Sequence, residues 1–259
     1  NAANADYHAQ IVREKAIRRD LIGASTEVIG NCFDASRSVQ EVLDETEQAV
    51  FAISERSTGT VYKSSKQLVD KVFKDLESRA DRNELVTGVP TGYHKLNELT
   101  AGFQPSDLII MAGRPSMGKT AFALNVAMRT AVMDQTPTLI YSLEMSMDQI
   151  MQRMLCAWGK VDLGKLRRGY LNDDDWARLY DAADALATAP IFVDDTPALT
   201  TMEIRARTRR LKMERNLGFV VVDYLQLMRT SRRTDSREQE ISDISRNLKA
   251  MAKELSIPV

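Results

Sequence analysis

The plainest chemistry in this sequence lies in a run of eight residues with two glycines, a lysine and a threonine. The run comprises Gly113, Arg114, Pro115, Ser116, Met117, Gly118, Lys119 and Thr120. Glycines at this spacing let backbone N–H groups close around phosphate oxygens, while the lysine suits the β- and γ-phosphates and the threonine hydroxyl suits Mg²⁺. The run therefore predicts a loop that binds ATP, or another nucleoside triphosphate, together with Mg²⁺.

The flanking residues match the structural setting that such a loop requires. Residues 108–112 are apolar and predict a buried strand, and residues 121–132 predict a helix. The N-terminus of that helix would add positive dipole character where the phosphates bind. A strand, this loop and a helix in succession indicate a P-loop nucleoside triphosphatase.

Two acidic residues follow further apolar segments. Phe219–Asp223 predicts a buried strand that ends in a carboxylate, and Glu144 follows the apolar segment Thr138–Ser142. Ligands of parallel sheets bind at the carboxyl ends of the strands, so we expect Asp223 to lie near the Mg²⁺ ion. Glu144 could polarise the attacking water as a general base, or it could be a solvated residue before the next helix.

Two groups of basic residues are candidates for contact with nucleic acid. Six basic residues between positions 205 and 215 share one predicted helix, but they spread over several of its faces, which favours a solvated helix. Arg229, Arg232 and Arg233 lie in a polar loop just after the strand that ends at Asp223. That loop could meet a DNA phosphate backbone, or it could be a surface loop without a ligand.

The order of the elements predicts an α/β fold. Short apolar strands, the last beginning near Ile257, alternate with helices from residue 86 onwards, which is typical of a parallel sheet sandwiched by helices. Before residue 57 the pattern predicts helices joined as a hairpin. Three pairs have the spacing of a capping box at a helix start, namely Ser38 with Glu41, Ser146 with Gln149 and Thr200 with Glu203. We therefore expect a helical hairpin at residues 1–56, a linker with a helix at 57–85 and an ATPase domain at 86–259.

The predicted linker helix carries a narrow apolar stripe. Its members recur at helical spacing and are Leu68, Val69, Val72, Phe73 and Leu76. The stripe has no evident partner within the linker. It could pack on its own chain or dock on a neighbouring subunit, and periodicity alone does not decide between the two.

Composition and charge narrow the class of protein. The 35 Lys and Arg residues nearly balance 36 Asp and Glu residues, so any contact with nucleic acid must come from local patches. Cys32 and Cys156 lie far apart and predict two buried, reduced thiols, which fits a reducing cytosol. No apolar run approaches the ~20 residues of a membrane span and no secretory signal begins the chain, so we expect a cytoplasmic protein without a membrane partner.

Five segments together are more specific than the phosphate loop alone. They are Thr-Gly-Val-Pro-Thr-Gly-Tyr at 87–93, Gly-Phe-Gln-Pro-Ser-Asp-Leu at 102–108, the loop at 113–120, Ser-Leu-Glu-Met at 142–145 and Asp-Tyr-Leu-Gln-Leu at 223–227. In their order and spacing they resemble the bacterial replicative DNA helicases of the DnaB family. The resemblance covers nearly the whole chain, whose helical start is similar to the end of that family's N-terminal domain and whose remainder is similar to most of its RecA-like motor domain.

The resemblance implies a homo-hexameric ring around single-stranded DNA, in which ATP binds between neighbours and its hydrolysis drives 5′→3′ movement. Glu144 matches the family's catalytic glutamate, while Lys119, Thr120 and Asp223 match its nucleotide and Mg²⁺ residues. The resemblance also implies that residues 67–79 dock on the adjacent subunit. Primase, which the family meets in the region of the N-terminal hairpin, and a helicase loader are the further partners it implies.

The chain also departs from the family's pattern. It stops before the positions of the family's glutamine sensor, main DNA-binding loops and arginine finger, and the start of the N-terminal domain is absent. An arginine finger contributes roughly 10³–10⁵ in rate to this chemistry. We therefore expect this chain to bind nucleotide but to hydrolyse it poorly.

Three other functions stay open at this point. The first is another RecA-like ATPase, such as a recombinase or a clock-type ring protein, although the segments at 142–145 and 223–227 argue against it. The second is a small-molecule kinase, which would need a lid and an acceptor pocket that the sequence does not show clearly. The third is a structural assembly module with a vestigial nucleotide site.

Overall fold

The computed structural model describes most of the chain. It covers residues 2–34, 64–80, 86–229 and 236–259, together with the helical positions 39, 42, 45, 46, 49, 50, 52 and 53. The chain divides into two compact units, Asn1–Glu77 and Ser78–Val259. The boundaries predicted after residues 56 and 85 stay predictions.

Nearly all described residues of the first unit are helical, as the sequence predicts. Helix α1 spans Ala2–Phe33 and helix α2 spans Ser65–Ala80, and the described positions between 39 and 53 are helical as well. The Asn31 side-chain amide donates to the Glu45 carboxylate at 3.2 Å, which ties α1 to the helical residues that follow it. The predicted capping box of Ser38 and Glu41 lies outside the described residues.

The surface of this unit shows one confirmed and one wrong prediction. The predicted apolar stripe lies on α2, and each of its five side chains is 47–60% exposed. The prediction that both thiols are buried is wrong for Cys32, which is exposed near the end of α1, while Cys156 in the second unit is buried. A helix with little segregation of polar and apolar residues, such as α1, gives no periodic signal for which of its faces is covered.

The second unit alternates helices and strands. Its helices are α3 (His94–Thr100), α4 (Lys119–Asp134), α5 (Met147–Gly159), α6 (Leu163–Arg168), α7 (Asp173–Thr188), α8 (Thr201–Arg215) and α9 (Arg237–Leu255). Its strands are β1 (Thr138–Ser142), β2 (Ile191–Asp194) and β3 (Phe219–Asp223), and the 3₁₀ turn Leu225–Leu227 follows β3. The predicted α/β class, a parallel sheet between helices, is confirmed.

The three strands form a parallel sheet in the order β2-β1-β3. Tyr141 of β1 pairs with Asp194 of β2, and Ser142 of β1 pairs with Asp223 of β3. The carboxyl ends of all three strands therefore meet at one edge of the sheet, the edge where parallel sheets bind their ligands.

Successive residues of the central strand enter two different cores, because side chains alternate between the faces of a sheet. Leu139 and Tyr141 pack with residues of α8 and α9, including Ile204 and Ile244. Ile140 packs on the opposite face with residues of α4 and α5, among them Met128, Ile150 and Met154. All five residues of β1 are buried, as a continuous apolar run predicts for a strand that is covered on both faces.

The predicted strand at residues 108–112 is wrong, since this segment is not a strand in the structure. Ile109 donates to the carbonyl of Val259 and Val259 donates to that of Asp107, but no backbone bonds join residues 110–112 to a neighbouring strand among the described residues. A cavity separates the segment from β3, and Ile110 is 65% exposed. Hydrophobicity predicts that a segment prefers burial, but a strand also needs a partner for its backbone groups.

The strand predicted to begin near Ile257 is also wrong, since none begins there. Pro258 nevertheless accepts a hydrogen bond from Val220 of β3, while Val259 bonds to the segment that precedes the phosphate loop. These residues therefore bridge β3 and that segment at one end of the cavity.

No helix among the described residues has the length and apolar character needed to cross a bilayer.

Candidate nucleotide-binding site

The phosphate loop owes its shape to two residues with left-handed backbone angles. Ser116 has a φ of 64° and Gly118 has a φ of 88°. A Cβ added at Gly118 would meet no atom within 4 Å, so the backbone angle rather than lack of space requires glycine there. Helix α4 begins at the next residue, Lys119.

The N-terminus of α4 is open to an anion. Its cap residue is Gly118, which has no side chain and so makes no side-chain cap hydrogen bond. The first N–H groups of a helix lack partners inside the helix, and the helix dipole adds positive character at that end. The predicted helix after the loop is confirmed, and it leaves donors where phosphate oxygens would bind.

Lys119 turns back onto the loop that precedes it. Its Nζ donates to the carbonyl oxygen of Gly113 at 2.8 Å. An ammonium group has three N–H donors, so this bond leaves two of them for a ligand. Thr120, the second residue of α4, is half-buried beside it.

The predicted Mg²⁺ ligand Asp223 lines the same cavity as Lys119. Both residues line a cavity of about 550 Å³ between residues 108–112, α4, β3 and α9. The side chain of Asp223 lies at the carboxyl end of β3 and is only 7% exposed. The structure thus brings together a cation and a carboxylate that lie far apart in the sequence.

Glu144 lies on the turn between β1 and α5 and is exposed. It does not line the cavity, but its turn is tied to the strand of Asp223. The N–H of Leu143 donates to the carbonyl oxygen of Asp223 at 2.8 Å, and Ser142 pairs with Asp223 in the sheet. Glu144 therefore lies two residues after Ser142, the residue that pairs with Asp223, at the carboxyl edge of the sheet.

The donor set is consistent with a magnesium ion that arrives with a nucleotide. Among the described residues, no group of three or more His, Cys, Asp or Glu side chains could hold a metal ion. Mg²⁺ needs no such group, since it is usually held by one or two carboxylates together with substrate phosphates and water. The Thr120 hydroxyl and the Asp223 carboxylate are ligands of the kind that Mg²⁺ prefers.

Of the three candidate DNA-binding arginines, the structure describes Arg229. Arg229 is exposed, and its N–H donates to the carbonyl oxygen of Leu199 at 3.1 Å, which holds the start of the loop beside the N-cap of α8. Arg232 and Arg233 lie outside the described residues. Arg229 does not line the cavity that Lys119 and Asp223 share.

The basic helix α8 is tied to its own chain rather than simply solvated. Arg205 and Arg209 both pair with Glu254 of α9, and Arg207 pairs with Asp194 at 2.7 Å. Burial alone would raise the pKa of Asp194, but hydrogen bonds from Thr196 and Arg207 hold it below its ordinary value. Arg207 therefore ties α8 to the end of β2, whereas Arg205 and Arg209 tie it to α9.

Sequence reasoning missed Asp195, which lies beside the predicted residues. Its carboxylate accepts a hydrogen bond from the N–H of Met147 at 2.9 Å, at the start of the helix after Glu144. The signal that could have found it is the one that found Asp223, because Asp194 and Asp195 follow an apolar strand. Applied to β2, the same reasoning would have pointed to this edge of the sheet.

The chain is similar to known proteins in sequence. Residues 88–259 match the family described as DnaB-like helicase C terminal domain. Along its whole length the chain is 43% identical to the replicative DNA helicase DnaB of Geobacillus stearothermophilus, and it spans 57% of that relative.

Solved structures agree with the sequence match. One that is described as an ATPase domain is similar over 76% of this chain and 70% of that chain, with a TM-score of 0.70 and 32% identity. A DnaB-like replicative helicase, whose structure was described with its interactions with primase, is similar over all of this chain and 59% of the other, with a TM-score of 0.77 and 29% identity. The chain therefore belongs to the family of DnaB-like helicases.

Proposed function

We propose that this chain provides the ATP-hydrolysing motor of a replicative DNA helicase in the cytoplasm. The observation that carries the proposal is the cavity that Lys119 and Asp223 line together, at the sheet edge beside the turn of Glu144. A structural assembly module has no need to bring these three chemical groups to one edge.

Nucleotide binding would rest on the loop from Gly113 to Thr120. Its backbone N–H groups and the open N-terminus of α4 would hold the phosphate oxygens, and the two remaining donors of Lys119 would reach the β- and γ-phosphates. Thr120 and Asp223 would hold Mg²⁺, which when bound neutralises charge that develops on the phosphates.

Hydrolysis would rest on Glu144 and Lys119. The Glu144 carboxylate would take a proton from the attacking water, and Lys119 would stabilise negative charge on the γ-phosphate. Glu144 is exposed on its turn, which leaves it accessible to solvent water.

Assembly would use the apolar stripe of α2. The stripe places five apolar side chains, each about half exposed, on one face of the helix. Burying such a patch against a second copy of the chain would remove apolar surface from water. We propose that residues 67–79 dock on the adjacent subunit of a homo-hexameric ring, with ATP bound between neighbours.

The remaining partners are single-stranded DNA, primase and a helicase loader. The ring would move 5′→3′ along the DNA strand, with the loop of Arg229, Arg232 and Arg233 near the phosphate backbone. The N-terminal helical region would meet primase; a related helicase of known structure was described with its interactions with primase.

A strand-displacement assay on the native full-length protein tests the proposal. With ATP and Mg²⁺ we expect displacement of a strand from a duplex with a 5′ single-stranded tail and none from a duplex with a 3′ tail. Lys119→Ala should abolish displacement, whereas Lys95→Ala, an exposed lysine on α3, should leave it unchanged. Displacement that survives Lys119→Ala would overturn the proposal.

Measurements of ATP binding and of ATP hydrolysis with and without single-stranded DNA, made beside the displacement assay, separate the rival functions. A recombinase or a clock-type ring protein would hydrolyse ATP without displacing the tailed strand. A small-molecule kinase would show no stimulation of hydrolysis by single-stranded DNA, and a structural module would bind and hydrolyse nothing.

A further inference from the structure

The turn that carries Glu144 is held by backbone and side-chain contacts on both sides of the glutamate. Before it, the N–H of Leu143 donates to the carbonyl oxygen of Asp223 at 2.8 Å. Across it, the Ser142 hydroxyl donates to the carbonyl of Met145 at 2.7 Å and accepts from the N–H of the same residue at 3.2 Å. Ser142 is 1% exposed, so the residue that supplies this clamp is buried.

After the glutamate, the turn is held by a residue that is remote in the sequence. The N–H of Met147, the first residue of α5, donates to Oδ2 of Asp195 at 2.9 Å. Asp195 follows the last residue of β2, and β2 lies beside β1 in the sheet. A carboxylate at a helix N-terminus is also favoured by the helix dipole.

The position of Asp195 is itself fixed by its neighbours. Arg207 of α8 donates to the Asp194 carboxylate at 2.7 Å and to the Thr196 hydroxyl at 2.9 Å, so the residues on both sides of Asp195 are anchored to α8. The bond from Met147 therefore fastens the start of α5 to a rigid part of the sheet edge.

Glu144 depends on these contacts because its own side chain makes none. Its carboxylate forms no hydrogen bond or ion pair within the described part of the chain, so its position is set by the backbone of the turn. We propose that Asp195 is a positioning residue for Glu144, acting through the Met147 amide. The proposal rests on the proposed function of Glu144 as general base.

The test measures steady-state ATP hydrolysis and equilibrium ATP binding in the native full-length protein. Asp195→Ala should lower kcat about 10-fold, because small misplacements of a catalytic group are costly, while KM and the Kd for ATP stay unchanged. Asp195→Asn keeps a carbonyl oxygen that can accept from Met147, so it should restore kcat to within about 2-fold of the wild type.

A matched control separates positioning from loss of stability. Asp162 is also an aspartate that accepts a backbone N–H at a helix start, that of Lys165 at 2.8 Å, but on α6 and outside the site. Asp162→Ala should lower the unfolding midpoint without lowering kcat. An equal loss of kcat in both variants would reduce Asp195 to a stabilising residue and overturn the proposal.

A double variant distinguishes this proposal from the one on which it rests. Glu144→Gln should abolish most hydrolysis, and adding Asp195→Ala should then cause no further loss, because both changes act through one group. If Glu144→Gln hydrolyses ATP normally, the role of Glu144 itself fails. If Glu144→Gln is inactive while Asp195→Ala keeps full activity, the role of Glu144 as general base holds and the positioning role of Asp195 fails.

Discussion

The ammonium group of Lys119 lies 2.8 Å from the carbonyl oxygen of Gly113, so the seventh residue of the phosphate loop bonds back to the first. The partner is a neutral carbonyl, and Lys119 has no ion pair among the described residues. A phosphate oxygen can therefore reach the ammonium group without displacing a carboxylate. This bond holds the lysine at the loop before nucleotide arrives, which lowers the cost of ordering it on binding.

The left-handed angle of Gly118 should matter for nucleotide binding. Gly118→Ala places a Cβ at a φ of 88°, which disfavours the loop conformation by about 1–2 kcal/mol and should weaken ATP binding about 10-fold. Isothermal titration of the chain with ATP and Mg²⁺ measures this. Gly169→Ala is the control, since Gly169 also has a positive φ of 74° and open space but caps α6. Equal ATP affinity in the wild type and Gly118→Ala would contradict the inferred role of the loop.

Asp223 should set the magnesium dependence of nucleotide binding. Asp223→Asn removes the negative charge that we expect beside Mg²⁺, so the Mg²⁺ concentration needed for half-maximal ATP binding should rise about 10-fold. A titration of Mg²⁺ at fixed ATP, followed with a fluorescent analogue, gives that value. Asp181→Asn changes an exposed aspartate on α7 and should leave the titration unchanged. If both variants behave alike, Asp223 is not a magnesium ligand.

Local patterns predicted those features of the fold that depend on neighbouring residues. The capping boxes Ser146–Gln149 and Thr200–Glu203 are present with both of their hydrogen bonds, because both partners lie within one helical turn. The acidic strand end at Asp223 was predicted for the same reason, since a short apolar run followed by a carboxylate is a local signal.

Contacts between remote segments were beyond such reasoning. The strand predicted at residues 108–112 depends on a partner for its backbone groups, which no local pattern specifies. The bond between Met147 and Asp195 joins residues that are 48 positions apart, so it becomes visible only when β1 and β2 pair in the sheet. The sequence thus predicted the chemical groups of the site but not the contacts that position them.

Tyr141 should connect the central strand to α8 through its hydroxyl group. It is fully buried, bonds to the Thr208 hydroxyl at 2.9 Å and donates to the carbonyl of Ile204 at 3.2 Å. Tyr141→Phe removes the hydroxyl that bonds to the Thr208 hydroxyl and the Ile204 carbonyl. The loss should lower the free energy of unfolding by about 1–3 kcal/mol at pH 7. Urea unfolding, followed by circular dichroism, measures the difference.

The difference in the free energy of unfolding between the wild type and Tyr141→Phe should also depend on pH. Burial raises the pKa of Tyr141 from 10.0 to about 12, against a smaller lowering by the hydrogen bond with Thr208. Because the folded-state pKa lies above the unfolded value, the neutral Tyr141 hydroxyl stabilises the fold fully below pH 10. That stabilisation is lost as pH rises from 10 to 12. The stability gap between the wild type and Tyr141→Phe should narrow over that range. A constant gap up to about pH 11 would contradict the buried, neutral state of this phenol.

Asp175 should govern the acid sensitivity of the second unit. Its side chain is 2% exposed and lies 2.6 Å from Arg178 and 3.2 Å from Lys165. Burial alone would raise the pKa of Asp175, but hydrogen bonds from Lys165 and the Asn172 backbone, with the charges of Lys165 and Arg178, hold it below 3.8. A lowered folded-state pKa means that the stabilisation is present above the unfolded value and is lost as pH falls through the folded one.

Asp175→Asn removes this titration while keeping the size of the side chain. We expect the variant to be less stable than the wild type at pH 7, where the ion pairs are complete, and the difference to shrink as pH falls below about 4. Urea unfolding at several pH values between about 3 and 7 measures both effects. Asp174→Asn, which changes the exposed neighbour on the same helix, should follow the wild-type profile. Parallel profiles for Asp175→Asn and the wild type would mean that Asp175 does not titrate with unfolding, and the ion pairs with Lys165 and Arg178 would then contribute nothing to acid stability.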